Sequence, residues 1–122
     1  MMSLSIFLGA YPPEIRERFL ATQSLVASLL PDAEQVLDLP AKMLAFTYGT
    51  GYKDMICVLI PSRNGLKLSF SQGAILSNNT QLLEGNGKKS RYVEIKNITM
   101  LQNPELQKLI RKALIIYNEQ KR

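Results

Sequence analysis

The chain has 122 residues, no histidine, one cysteine and a formal net charge of +5. Without histidine, Ser-His and Cys-His nucleophilic sites are excluded, and so is the commonest metal ligand at neutral pH. Hydrophobic residues at 46% and charged residues at 20% describe a chain that buries a core and needs no disulfide or structural metal to do so.

The lone Cys57 has no partner for an internal disulfide or a zinc site, which suits a reducing, cytoplasmic setting. The positive excess favours anionic partners such as phosphates, nucleic acid or acidic proteins, without choosing among them. The apolar start, Met1 to Ala10, lacks a positive flank, is broken by serines, and is shorter than the roughly 20 residues of a membrane span. It reads as a short helical turn leading into the first helix.

That helix runs from about Pro13 to Leu30. Pro12-Pro13 suits an entry where a missing N–H costs little. Ile15, Phe19, Thr22, Val26 and Leu29 recur at helical spacing, with Thr22 the weak member of the stripe. Glu14 and Glu17 suit the positive end of the helix dipole, and Pro31 ends the run. Asp32 to Asp38 reads as a turn or short second helix before Pro40. A β-meander follows. Leu44, Phe46 and Tyr48 alternate with Met43, Ala45 and Thr47, Gly49-Thr50-Gly51 turns the chain, and Met55 to Ile60 is the unbroken apolar run of a central strand. Pro61 closes that run. Asn64-Gly65 signals a hairpin because both residues tolerate positive φ. Leu66, Leu68 and Phe70 then point inward, with Lys67, Ser69 and Ser71 outward. Gly73 to Ser90 is a long connection. A last strand covers Arg91 to Lys96, with Val93 and Ile95 inward. Asn103 and Pro104 open a final helix, with an apolar face of Leu106, Leu109, Ile110, Ala113, Leu114 and Tyr117 and a basic face of Lys108, Arg111 and Lys112. The expectation is a single α+β domain over residues 1–122, with a mostly antiparallel sheet of about four strands and the terminal helices packed on one face.

The stretch Leu82-Leu83-Glu84-Gly85-Asn86-Gly87-Lys88 stands out. As an anion nest, its glycine turns would aim backbone N–H groups at a phosphate or carboxylate, with charge from Lys88, Lys89 and Arg91. As a structural turn, it would re-aim the chain into the last strand. It is not a P-loop: Leu82 stands where the first glycine is needed, and a strand rather than a helix follows.

Phe70, Gly73-Ala74-Ile75-Leu76, this glycine loop and Arg91-Tyr92-Val93-Glu94-Ile95 together resemble a widespread bacterial domain-of-unknown-function family, often called YdhG-like. The likeness is specific from Phe70 to Ile95 and generic elsewhere. It implies a small α+β fold, and for some members a frataxin-like iron chaperone role. This chain departs from that role in its basic charge, and in Tyr92 where members often carry histidine.

Arg91 shares a face with Val93 and needs a partner. Glu84, the nearest acid in sequence, would form a loop-stapling bridge, or the guanidinium would take a ligand's carboxylate or phosphate. Asp32, Glu34 and Asp38 form an acidic cluster with no cation-loop spacing. Tyr92 alone is placed to stack a nucleobase, which disfavours nucleic acid. Tyr48, Tyr52 and Phe46 line a small cleft or pack the core. Cys57 reads as a small buried hydrophobe. The expected function is a non-catalytic binding domain, with Gly85, Gly87, Lys88 and Arg91 taking an anionic small molecule or protein partner. It needs no metal or cofactor, leaves monomer and homodimer open, and has iron handling as the alternative.

Overall fold

The computed structural model describes residues 3–121, the side chain of Asn79 excepted. Helix α1 (Leu4–Leu8) is capped by the Ser3 hydroxyl, which accepts from the Ile6 N–H at 3.3 Å. Helix α2 (Pro13–Leu29) starts on its proline and buries Ile15, Phe19, Thr22 and Val26. Thr22 earns its place in that stripe by donating to the Arg18 carbonyl one turn back, at 2.7 Å, so no buried hydroxyl is left unbonded.

Five strands follow: β1 (Glu34–Asp38), β2 (Met43–Thr47), β3 (Met55–Pro61), β4 (Leu66–Phe70) and β5 (Arg91–Glu94). They form one antiparallel sheet in the order β1-β2-β3-β4-β5, so each strand pairs with its sequence neighbour. Between β4 and β5 lies helix α3 (Gly73–Leu76), followed by a 3₁₀ turn at Ser77–Asn79. Another 3₁₀ turn, Ile98–Gln102, leads to helix α4 (Pro104–Gln120), whose first turn is capped by Asn103 Oδ1 accepting from the Glu105 N–H at 2.9 Å.

The segment Asp32 to Asp38 is a turn only at Asp32 and forms no helix: from Glu34 it is strand β1, which brings the sheet to five strands where about four were expected. Its register against β2 pairs Glu34 with Thr47, Val36 with Ala45 and Asp38 with Met43. The hairpin at Asn64-Gly65 also differs from expectation. Neither residue has positive φ. The Ser62 hydroxyl closes the turn instead, accepting from the Gly65 N–H at 3.1 Å while the Ser62 N–H reaches the Gly65 carbonyl at 2.9 Å.

Register defines two faces. Phe46, Cys57 and Phe70 lie in one row, with Leu44, Leu59, Leu68 and Val93 in the next. This face meets α2 and α4, which also touch one another. Phe19, Val26, Leu106 and Ile110 join it in a single core. Ile116 belongs to the buried face of α4 as well, and Leu114 is only half-buried there. On the opposite face, among the described residues, none from α1 to α4 lines the clefts, which are bordered by strand and turn residues with Tyr52.

Candidate anion site at the glycine loop

The glycine loop is closed at its base by a small ladder. The Glu84 N–H donates to the Tyr92 carbonyl at 2.7 Å, and the Tyr92 N–H to the Glu84 carbonyl at 3.1 Å. Gly85 follows with φ of 105°, a conformation that side chains resist, and it lies against the Tyr92 ring. The chain then turns through Asn86 to Ser90, all exposed.

Arg91 braces this loop, but not through Glu84. Among the described residues the one ion pair is Lys121–Asp54, and Glu84 spends its backbone on Tyr92. Arg91 Nε instead donates to the Gly87 carbonyl at 2.9 Å, and Nη1 reaches the Ser77 hydroxyl at 3.4 Å. The expected staple exists with different partners, because the loop folds its own carbonyl back over the guanidinium. Helix α3 adds a second brace: the Ala74 N–H donates to the Lys89 carbonyl at 2.8 Å. That contact requires Gly73, since a Cβ there would lie 2.5 Å from Arg91 Cβ and 2.8 Å from Arg91 Cα.

The braces have an electrostatic result. The carbonyls of Gly87 and Lys89 are engaged within the fold. The N–H groups from Gly85 to Ser90 meet no acceptor among the described residues, and these residues, Lys88 and Lys89 included, are exposed. A run of unbonded amides beside cations is what an anion nest requires. The structure thus brings Gly85, Gly87, Lys88 and Arg91 into one loop, with Gly87 and Arg91 bonded to each other. Gly73 and Ser77 are the members that sequence reasoning missed; the Gly-Ala-Ile-Leu segment was their only local signal.

The basic face of α4 contributes to a cleft that residues 85–91 do not line. Lys108 and Lys112 line a cleft of about 360 Å³ with Leu76, Thr80, Glu105 and Leu109. A neighbouring polar cleft shares Thr80 and Glu105 and reaches Ser77. Tyr92 is already occupied, because Lys67 Nζ sits 4.4 Å from its ring centroid and Gly85 backs onto its edge.

The three aromatic residues near the first turn separate. Phe46 is core, Tyr52 is exposed, and Tyr48 stacks on Tyr117 with ring centroids 5.8 Å apart. Tyr117 donates its hydroxyl to Asp54 Oδ1 at 2.8 Å, and Lys121 Nζ approaches the same oxygen at 3.4 Å. The Tyr117 bond, joined by Lys121 and the Gly51 N–H, holds the Asp54 carboxyl below its usual range. Hydrogen bonding to Tyr117 and Asp54 raises Lys121. Burial raises Tyr48, helped by the Asp32 charge, and burial raises the fully enclosed Cys57 thiol. All four groups move away from neutral pH. The pairing of Tyr117 with Asp54 also escaped sequence reasoning, which read Tyr117 only as part of the apolar face of α4, since 63 residues separate the two.

Asp32, Glu34 and Asp38 lie along β1 and its lead-in, and no group of three or more Asp, Glu or Cys side chains gathers as a metal site among the described residues. No helix among them is long and apolar enough to cross a membrane. No family model matches the chain, and neither the curated proteins nor the solved structures contain a significant match to it.

Proposed function

We propose that the chain is a non-catalytic, cytoplasmic binding domain that takes an anionic group on the Gly85–Arg91 loop. The observation that carries this reading is the loop's hydrogen bonding: its Gly87 and Lys89 carbonyls are taken up within the fold, its amides meet no acceptor among the described residues, and the exposed Lys88 and Lys89 belong to the same loop. A phosphate or carboxylate would accept from the amides and gain charge-assisted contacts from the lysines. Arg91 sets the frame through Nε and Nη1, and Nη2, which bonds nothing among the described residues, remains available to the ligand. Binding suits the groups present better than acid–base chemistry, because the resolved pKa shifts carry Asp54, Lys121, Tyr48 and Cys57 away from the operating range of a general acid or base. With Lys67 and Gly85 on Tyr92, base stacking gains no support.

The test is an amide-resolved NMR titration with inorganic phosphate, a nucleoside monophosphate and a phosphoserine peptide. At least one of them should move the Gly85 to Ser90 amides together. Replacing both Lys88 and Lys89 with alanine should weaken that binding by about tenfold and leave the melting temperature unchanged. Amides that stay still through millimolar additions of all three would refute the reading.

A further inference from the structure

A second surface lies at the other edge of the sheet. Among the described residues strand β1 pairs only with β2, so one side of its backbone presents unpaired N–H and C=O groups. Its residues divide cleanly between the two faces. Gln35 turns toward α2, where its Oε1 accepts from Gln23 Nε2 at 2.8 Å, and Leu37 packs against the core. By alternation Glu34, Val36 and Asp38 turn to the opposite face, away from α2. There they border a cleft of about 440 Å³ with Met43, Ala45 and Tyr52. Val36 is 46% exposed and Tyr52 77%, so apolar area on this face is open to solvent.

The charge around the cleft is local and opposite to that of the whole chain. Glu34 and Asp38 flank Val36, and among the described residues that line the cleft there is no lysine or arginine. Neither acid belongs to the one ion pair among the described residues.

We propose that β1 takes an extended segment of basic and apolar character as a sixth strand. Main-chain hydrogen bonds to the free edge would align it, as in other strand additions. Its alternate side chains, following a basic–x–apolar–x–basic pattern, would place an apolar residue beside Val36 and cations beside Glu34 and Asp38. A second copy of this chain does not fit. Two β1 strands paired antiparallel about Val36 set Glu34 against Asp38, and a parallel pair sets each acid beside its own copy. Like charges directly opposite destabilise a strand pair. Nor would the overall field recruit a basic segment, because the chain carries +5. Selection must come from this edge itself.

The probe is a heptapeptide with Lys, Val and Lys at alternate positions and Thr between and around them. Its counterpart carries Glu for Lys, and a third version carries Pro for Val. The lysine peptide should shift the amides of residues 34–38 and 43–47, and bind at least about tenfold more tightly than the glutamate peptide. The proline version should not bind, because it removes a ladder donor. Glu34→Lys should remove the preference for lysine. Asp38→Asn should weaken it while keeping the side-chain oxygen that accepts from the Ala41 N–H at 3.1 Å; unchanged circular dichroism confirms the fold of both variants. Equal binding of the lysine and glutamate peptides, shifts confined to residues 85–90, or no shifts at all would overturn the proposal. So would self-association in sedimentation experiments that maps to β1, since the occupant would then be a second copy.

Discussion

Replacing Gly73 with alanine tests whether the long connection between β4 and β5 is clamped as described. The added Cβ would meet the backbone nitrogen of Arg91 and lie 2.5 Å from its Cβ and 2.8 Å from its Cα. These atoms belong to β5, which is held by its pairing with β4, so relief must come from α3 lifting away. Overpacking of this kind costs about 1–3 kcal/mol. Lifting α3 also stretches the bond from the Ala74 N–H to the Lys89 carbonyl, 2.8 Å long in the native fold, adding about 1 kcal/mol. The sum is about 2–4 kcal/mol. At about 4 °C per kcal/mol for a domain of this size, the melting temperature should fall by about 8–16 °C. Gly51 is the control. A Cβ there would find its nearest neighbour at 3.6 Å, so Gly51→Ala should cost no more than about 0.5 kcal/mol. Thermal unfolding followed by circular dichroism measures both. A Gly73→Ala protein that melts within about 2 °C of the parent, which is about 0.5 kcal/mol, would refute the clamp. Equal losses at Gly73 and Gly51 would refute it too.

Arg91→Ala should lower stability by about 1–2 kcal/mol through the lost bonds to Gly87 and Ser77, as read by urea unfolding. Arg91→Lys should recover only part of it, since an ammonium cannot span both partners. Cys57 should resist a thiol reagent in the native protein and react at once in denaturant, because it is fully buried and its pKa is raised; fast labelling of the native protein would contradict its place in β3. Tyr117→Phe removes the main bond that holds the Asp54 carboxyl low. A carboxyl lowered on folding contributes stability above its unfolded pKa, about 3.9, and loses it as pH falls through the folded value. The parent's advantage over Tyr117→Phe should therefore be full at neutral pH and narrow below about pH 4; an advantage that persists undiminished into acid would exclude Asp54 as its source.

Most of the framework was legible because it repeats at short range. The stripe of α2, the unbroken run of β3 and the alternation of β4 each declare their element within one window. Strand β1 does not. Glu34-Gln35-Val36-Leu37-Asp38 has no apolar alternation of its own and is extended because β2 offers a partner. The glycine loop was recognised as special, but its mechanics were not. Glu84 looked like the partner of Arg91 because it is the nearest acid along the chain, whereas the real partners are a loop carbonyl and Ser77. Gly73 owes its importance to a strand 18 positions later, and Asp54 to a helix 63 positions later. No local window contains either contact.

The order of the strands has a further consequence for how such a domain can change. Three of its four strand connections are short or tightly hydrogen-bonded, and only residues 71–90 form a long excursion, the one that carries the glycine loop. The β4–β5 register is held at Leu68–Val93 and its neighbours, outside that excursion. Doubling a flexible connection costs only about 0.6 kcal/mol in closure entropy. Beyond the fixed points at Gly73, Ser77, Gly87, Lys89 and the Glu84–Tyr92 bridge, the connection can be lengthened, shortened or recharged while the sheet keeps its alignment. The domain thus carries its glycine loop on the strand connection with the greatest length to alter.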